Sequence, residues 1–264
     1  MTDNFPKKIE IRQGNGGVIT GKFSQEAQDS LQDTSTFSVL IKELRFKNRF
    51  ILSNDHSIFL DKYIEYARHS KTLKFTKGNK FYRARINALE KKYECFPLKQ
   101  MGAPPAHEAS HGRVNPVGIP YLYLASNIDT AVSEVRPWIG CKITVAEFAL
   151  KKGISVVNFS NKVSRNALKD EQCEVKEGIW RDWISYLFSM PFDPRDDIAY
   201  IPTQYISERF KKEGFDGIIY DSALYEDEDS YNLCLFDVSA AKPLKRSKVT
   251  VNSMGIIKMN AEDI

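Results

Sequence analysis

The pattern of apolar and polar positions changes character along the chain. Residues 1 to about 30 are polar, rich in Gly, Gln and Asn, with little periodicity, and read as a loose N-terminal segment. From Thr34 the pattern is helical: Phe37, Leu40, Ile41 and Leu44 fall on one face, with Thr34 or Ser35 as the cap. A second helical stretch near Ser57 carries the stripe Phe59, Leu60, Tyr63, Ile64 and Ala67. The two stretches predict an αα-hairpin joined by a polar connector.

After Lys77-Gly78-Asn79 the period falls to two. Lys80 to Ile86 alternates as a strand and sets Arg83 and Arg85 on the same face. Glu94 to Gly118, rich in Pro and Gly, predicts a loop. Tyr121 to Ala125 predicts a strand, and Ser126 or Asn127 caps a short helix from about Ile128 to Val135, closed by Pro137. Lys142 to Leu150 and Ile154 to Phe159 predict two strands around Lys152-Gly153. Arg165 to Met190, with Trp180 and Trp183, reads as a longer helical region, and Gln204 to Lys212 as an amphipathic helix that stops at Gly214. Ile218 to Tyr220 and Leu233 to Phe236 are short strands of the buried type, separated by the acidic loop Glu226 to Asp229. Helices and strands mix without a regular βαβ rhythm or an internal repeat, which predicts an α+β fold with a mixed sheet.

Composition narrows the class. With 264 residues, 42% hydrophobic and 27% charged, the chain can build a sizeable core, and wholesale disorder is excluded. No stretch approaches the roughly 18 uninterrupted apolar residues of a membrane span. The first residues lack the layout of a secretory signal, so a cytoplasmic location is expected, with no membrane partner. Cys95, Cys141, Cys173 and Cys234 stand far apart without a CxxC pair, as expected of reduced, mostly buried thiols. The net charge of +4 is scattered, and the clusters Lys74, Lys77, Lys80 and Lys242, Lys245, Arg246, Lys248 read as solvated faces. No direct nucleic-acid binding is expected.

Two short motifs are set aside. Gly16 to Lys22 fills GxxxxGK, but Phe23 stands where a phosphate-binding loop needs Ser or Thr. His107-Glu108-Ala109-Ser110-His111 fits HExxH, but Pro104-Pro105 and Gly112 leave little room for the helix a zinc site requires. No metal is expected.

The residues that carry chemistry occur in four blocks. They are Phe81-Tyr82-Arg83-Ala84-Arg85, the run from Gly112 to Ala125 leading into Thr130 to Pro137, Gly214 to Ser222, and Asn232 to Phe236. In these blocks, over about residues 75 to 240, the chain resembles the RES family, named for its Arg, Glu and Ser signature. The resemblance implies an ADP-ribosyltransferase-like β-core with flanking helices. It divides the chain into an N-terminal helical extension, residues 1–76, and a RES catalytic domain, residues 77–264.

It further implies an enzyme that consumes NAD⁺ by splitting the nicotinamide–ribose bond, by hydrolysis or phosphate attack, as the toxin of a toxin–antitoxin or defence system. The protein partner would be a helix-turn-helix antitoxin, and a homo-oligomer is compatible with the sequence. The related alternative is transfer of ADP-ribose to a protein or nucleic acid. A non-catalytic nucleotide-binding module is disfavoured because all three signature residue types are present.

The residue types suit this chemistry. Cleavage of an N-glycosidic bond develops positive charge on the ribose, and a carboxylate stabilises it, the role expected of Glu134. Arginines grip a pyrophosphate, which suits Arg83, Arg85 or Arg113; either Arg83 or Arg85 fits the signature arginine. Tyr123 offers a ring to stack on nicotinamide, with Tyr121 on the same strand face and Asn115 nearby in the binding set. Ser222 is expected to hydrogen-bond a ribose or phosphate oxygen. Each has a plainer role open to it: Glu134 as a surface carboxylate paired with Arg136 or Lys142, an arginine in an ion pair, a tyrosine in the core.

Overall fold

The first regular elements are two strands, β1 (Lys8–Arg12) and β2 (Val18–Lys22), paired antiparallel with Ile11 opposite Ile19. The stretch read as loose therefore contains a hairpin, because five-residue alternations such as Lys8 to Arg12 are too short to stand out among Gly and Gln. Val18 to Lys22 of the GxxxxGK match is extended strand. The computed structural model describes residues 36–87, 95–163, 183–190, 192, 196, 198–225, 227 and 230–252, and the backbone of residues 8–12, 18–22 and 25–35. Cys173, Trp180 and the start of the helical region expected from Arg165 lie outside the described residues; residues 183–189 are helical.

The helical hairpin consists of α1 (Gln25–Phe46) and α2 (Asn54–Ser70). Helix α1 begins nine residues before Thr34, so the expected cap residues Thr34 and Ser35 lie inside it. Gln, Glu, Ala and Leu in Gln25 to Gln32 are adequate helix formers even without an apolar stripe. The strands β3 (Thr72–Phe75), β4 (Lys80–Ile86), β5 (Leu122–Ala125), β6 (Lys142–Leu150) and β7 (Ile154–Asn158) follow, with α3 (Ile128–Glu134) after β5. Helix α4 (Ile201–Lys212) and strands β8 (Gly217–Asp221), β9 (Tyr231–Leu235) and β10 (Ala241–Thr250) complete the order.

Eight strands form one sheet in the order β10-β6-β4-β5-β9-β8-β7-β3. Strands β7 and β8 run parallel, and the other neighbours antiparallel. The architecture is α+β, with a mixed sheet and flanking helices. Strand β10 pairs with β6 along its length, so Lys242, Lys245, Arg246 and Lys248 are exposed residues of an edge strand. Charge on an edge discourages pairing with another sheet.

Each face of the sheet is covered. On one face Leu40, Leu44, Leu60 and Tyr63 of the helical hairpin pack with Phe159, Phe188, Phe210 and Cys234 in one core. On the other, Phe81, Leu122, Leu124, Phe148 and Ile219 pack beneath Phe96 and Met101. Burial on both faces explains why β8 reads as a continuous apolar run. The described cysteines, Cys95, Cys141 and Cys234, are free thiols. Among the described residues no helix is long and apolar enough to cross a membrane.

Two positions give stability predictions. Phe210 of α4 is fully buried, 6.2 Å from Tyr63, 5.3 Å from Phe159 and 5.3 Å from Phe215 between ring centroids, so it ties α4 to α2, to the chain just past β7 and to the turn before β8. Phe210→Ala is expected to cost about 3–5 kcal/mol, measured by urea denaturation. Arg136, just past α3, has φ 48°, a left-handed conformation that strains a residue with a Cβ. Arg136→Gly is expected to raise stability by about 0.5–1 kcal/mol in the same measurement.

Candidate active site

Strands β4 and β5 meet at a single register position, Tyr82 opposite Ala125. Beyond it the ladder stops, and a cleft opens in the middle of the sheet. Arg83 spans the gap: its Nη1 donates to the Tyr123 carbonyl oxygen at 2.8 Å. That contact satisfies an acceptor left without a strand partner on that side. Arg83 is half-buried, its Nε is sealed from solvent without a hydrogen-bond partner, and among the described residues no ion pair neutralises it. Burial, then the nearby charge of Arg85, lowers its pKa to about 10, so it is still a cation at neutral pH.

The register carries the rest of the floor. Tyr123 stands opposite Cys234, and Asn232 is flanked by Ala125 on β5 and Tyr220 on β8, all on the same face. Helix α3 crosses this face, capped by the Asn127 side chain, which accepts from the Thr130 amide at 2.8 Å. Its last residue is Glu134. The carbonyl end of a helix disfavours a carboxylate there, and two neutral donors offset this. Ser222 Oγ and Asn232 Nδ2 both donate to Glu134 Oε1 at 2.7 Å. Oε2 receives neither of them, and Glu134 stays accessible to solvent. Ser222 and Asn232 are themselves buried.

Two cavities meet at Tyr123, Glu134 and Tyr220. One, of about 280 Å³, is also lined by Tyr82, Arg83 and Asn232. The other, of about 400 Å³, is also lined by His111, Arg113, Arg136 and Tyr200. Burial, and then the Glu134 charge, raise the Tyr220 hydroxyl well above its ordinary range, against the pull of Arg113, so Tyr220 is a neutral phenol in the cleft.

Arg113 is positioned from below and behind. The Tyr123 hydroxyl accepts from the Val114 and Asn115 amides at 3.1 and 3.2 Å and donates to Asn115 Oδ1 at 2.7 Å. A Cβ on Gly112 would lie 2.6 Å from Asn115 Oδ1 and 2.7 Å from the Tyr123 hydroxyl, so glycine is required for this knot. From α4, Thr203 Oγ1 donates to the Arg113 carbonyl and Gln204 Nε2 to that of Gly112 at 2.8 Å. The guanidinium itself lies 5.4, 5.3 and 5.9 Å from the ring centroids of Phe192, Tyr200 and Tyr220. Held by π faces, it keeps N–H donors for an anion.

Of the residues expected at the site, the fold brings together Arg83, Arg113, Tyr123, Glu134 and Ser222. It does not bring in the others. Arg85 donates to the Gln100 carbonyl and lies over Phe96, 4.5 Å from the ring centroid, away from both cavities. Tyr121 is buried against Phe236 and donates to Glu208 Oε1 at 3.0 Å. Asn115 is buried and holds the loop by donating to the Ser110 and Pro116 carbonyls. His107 and Glu108 of the HExxH match sit on a three-residue 3₁₀ turn, and His111 lies beyond it, 6.3 Å from the Tyr200 ring.

Asn232, Tyr220, Tyr200 and His111 line the cleft without having been singled out for it. A single amide in the apolar run Asn232 to Phe236 was the available signal for Asn232. For Tyr200, at the start of α4, no local signal exists, and the motif around His111 pointed to a metal rather than to this cleft. The assembled site offers one guanidinium in each cavity and a carboxylate where the cavities meet, groups able to hold anions and to oppose developing positive charge.

The RES domain model matches residues 80–253. No curated protein matches the chain. Among solved structures, the chain is similar to one in the crystal structure of the M. tuberculosis MbcT–MbcA toxin–antitoxin complex, at 12% identity and a TM-score of 0.40, over 72% of this chain and 92% of that one. The family match spans well over half of the chain and contains every residue that lines the two cavities, and the chain belongs to the RES domain family.

Proposed function

We propose that the protein is an enzyme that cleaves the nicotinamide–ribose bond of NAD⁺ and is the toxin of a toxin–antitoxin or defence system. The observation that carries the reading is the meeting of Arg83, Arg113, Tyr123, Glu134 and Ser222 at one cleft. They come from three separate segments of the chain, Arg83 from one, Arg113, Tyr123 and Glu134 from a second and Ser222 from a third, and each has the type the chemistry needs. The paired cavities suit an elongated ligand, with cationic groups for its pyrophosphate and tyrosine rings for its flat base.

In the proposed reaction the C1′–N bond breaks and its electron pair leaves with nicotinamide, which becomes neutral. The ribose acquires oxocarbenium character, and the Glu134 carboxylate stabilises it. Ser222 and Asn232 fix the carboxylate's orientation, so little reorganisation is needed when the charge develops. An acceptor then bonds to the ribose carbon that nicotinamide has left: water, giving up a proton to solvent, yields ADP-ribose, and phosphate yields ADP-ribose 1″-phosphate. Ser222 has a carboxylate and no histidine beside it, which suits a positioning hydroxyl rather than a nucleophile. The toxin role and a helix-turn-helix antitoxin partner rest on the family alone, as does action inside the cytoplasm. The boundary near residue 76 is proposed on the same basis, with the helical hairpin contributing to the common core.

Four outcomes are expected. The purified full-length protein releases nicotinamide from NAD⁺, with ADP-ribose or its 1″-phosphate as the second product according to whether phosphate is required. Release only with an added macromolecule that becomes labelled assigns transfer instead, and no release under any condition overturns the reading. Glu134→Gln lowers kcat by about a thousandfold with the fold intact by circular dichroism. Arg83→Gln raises KM for NAD⁺ about tenfold or more, with kcat changed by less than about threefold, because it removes a charged contact made before and during bond cleavage. Induced expression of the wild type arrests bacterial growth, and expression of Glu134→Gln does not.

A further inference from the structure

Arg113 has a weak polar anchor. Its Nη1 donates to the Leu187 carbonyl at 3.4 Å, at the long limit for such a bond, so the surrounding rings largely set where its guanidinium lies. One of those rings holds a second cation. Arg45, in the last turn of α1, places its Cζ 5.8 Å from the centroid of Phe192, and Arg113 places its own 5.4 Å from the same centroid. Phe192 in turn meets Tyr200 edge-on at 5.3 Å and 87°, and Tyr200 is another wall of the Arg113 cage.

Arg45 is an unusual residue for this place. Its Nη2 donates to the Ala199 carbonyl at 3.1 Å, next to Tyr200, while its Nε is sealed from solvent without a partner. Among the described residues no ion pair neutralises it. A half-buried guanidinium held by one carbonyl and one ring contributes little to stability, since burying the charge costs about as much as these contacts return. Its contacts fall on the two segments that carry Phe192 and Tyr200.

We infer that Arg45 of the N-terminal helix is a positioning residue for the cleft: through Phe192 and the Ala199–Tyr200 segment it sets the Arg113 guanidinium for an anionic ligand. The inference rests on the proposed reading of the cleft as a site for the pyrophosphate of NAD⁺. It gives the helical hairpin a part in substrate binding although none of its described residues lines the two cavities.

The test uses the full-length protein with Arg45→Gln, which keeps a donor for the Ala199 carbonyl and removes the cation, together with Phe192→Leu and the double variant. KM and kcat for NAD⁺, the Kd for ADP-ribose by calorimetry, and the thermal midpoint are measured for each. Arg45→Gln is expected to raise KM and Kd about five- to tenfold, with kcat within about twofold and little change in midpoint. The double variant is expected to be no worse than Phe192→Leu alone, because Gln keeps the contact to Ala199 and what the substitution removes is the cation held by that ring. Unchanged KM and Kd in Arg45→Gln, a parallel loss of kcat and midpoint, or additive effects in the double variant would overturn the inference while wild-type binding stands. A wild type that neither binds ADP-ribose nor releases nicotinamide overturns the functional reading and this inference with it.

Discussion

The parting of β4 from β5 is the constraint on which the site depends. An antiparallel pair that stops after one register position leaves backbone groups facing a gap, and buried backbone groups need partners. Arg83 supplies one by reaching across to the Tyr123 carbonyl. The same contact carries a cation into the opening, and among the described residues no ion pair neutralises it. A break in the sheet and a charge poised for an anion are thus one feature. The sheet tolerates it because β6 holds β4 along its whole length and β9 holds β5 at four positions.

Glu134 depends on the same opening. The register places Asn232 beside Ala125, and the strand end after Tyr220 delivers Ser222, so two donors from distant segments reach one carboxylate oxygen. Neutral donors orient the carboxylate without pairing its charge. This differs from Glu147 on β6, which forms ion pairs with Lys80 and Lys245 and is held below the usual carboxylate range first by its bond to Lys80. Glu147 is thus paired with cations, whereas the side-chain bonds to Glu134 among the described residues come from neutral donors.

The Gly112 to Asn115 knot shows how local chemistry and packing share one task. Glycine allows the close approach of the Tyr123 hydroxyl, and that hydroxyl gathers two loop amides. The loop then offers Arg113 to a cage built from Phe192, Tyr200 and Tyr220, none of which is its sequence neighbour. The helical hairpin enters through the same core, with Arg45 at its end.

Periodicity alone located β4 and β6 to the residue, the short capped helix before Pro137 and the stop of α4 near Gly214, because each follows from local sterics and the side of the chain that must be dry. It missed the N-terminal hairpin and β3, whose alternations run for only four or five residues, and β10, a largely exposed and charged edge strand. Arg83 and Arg85 were equivalent in pattern, both on one face of one strand. Strand divergence separates them: Arg83 meets the gap beside β5, and Arg85 meets Phe96 and Gln100. Tyr121 and Tyr123 were equivalent in the same way, until α4 claimed the first through Glu208 and the Gly112 loop claimed the second. Residue type and spacing are properties of the chain and name the chemistry available. Which of two like residues meets the cleft depends on contacts between segments far apart in the chain, and those exist only once the sheet and its helices have packed.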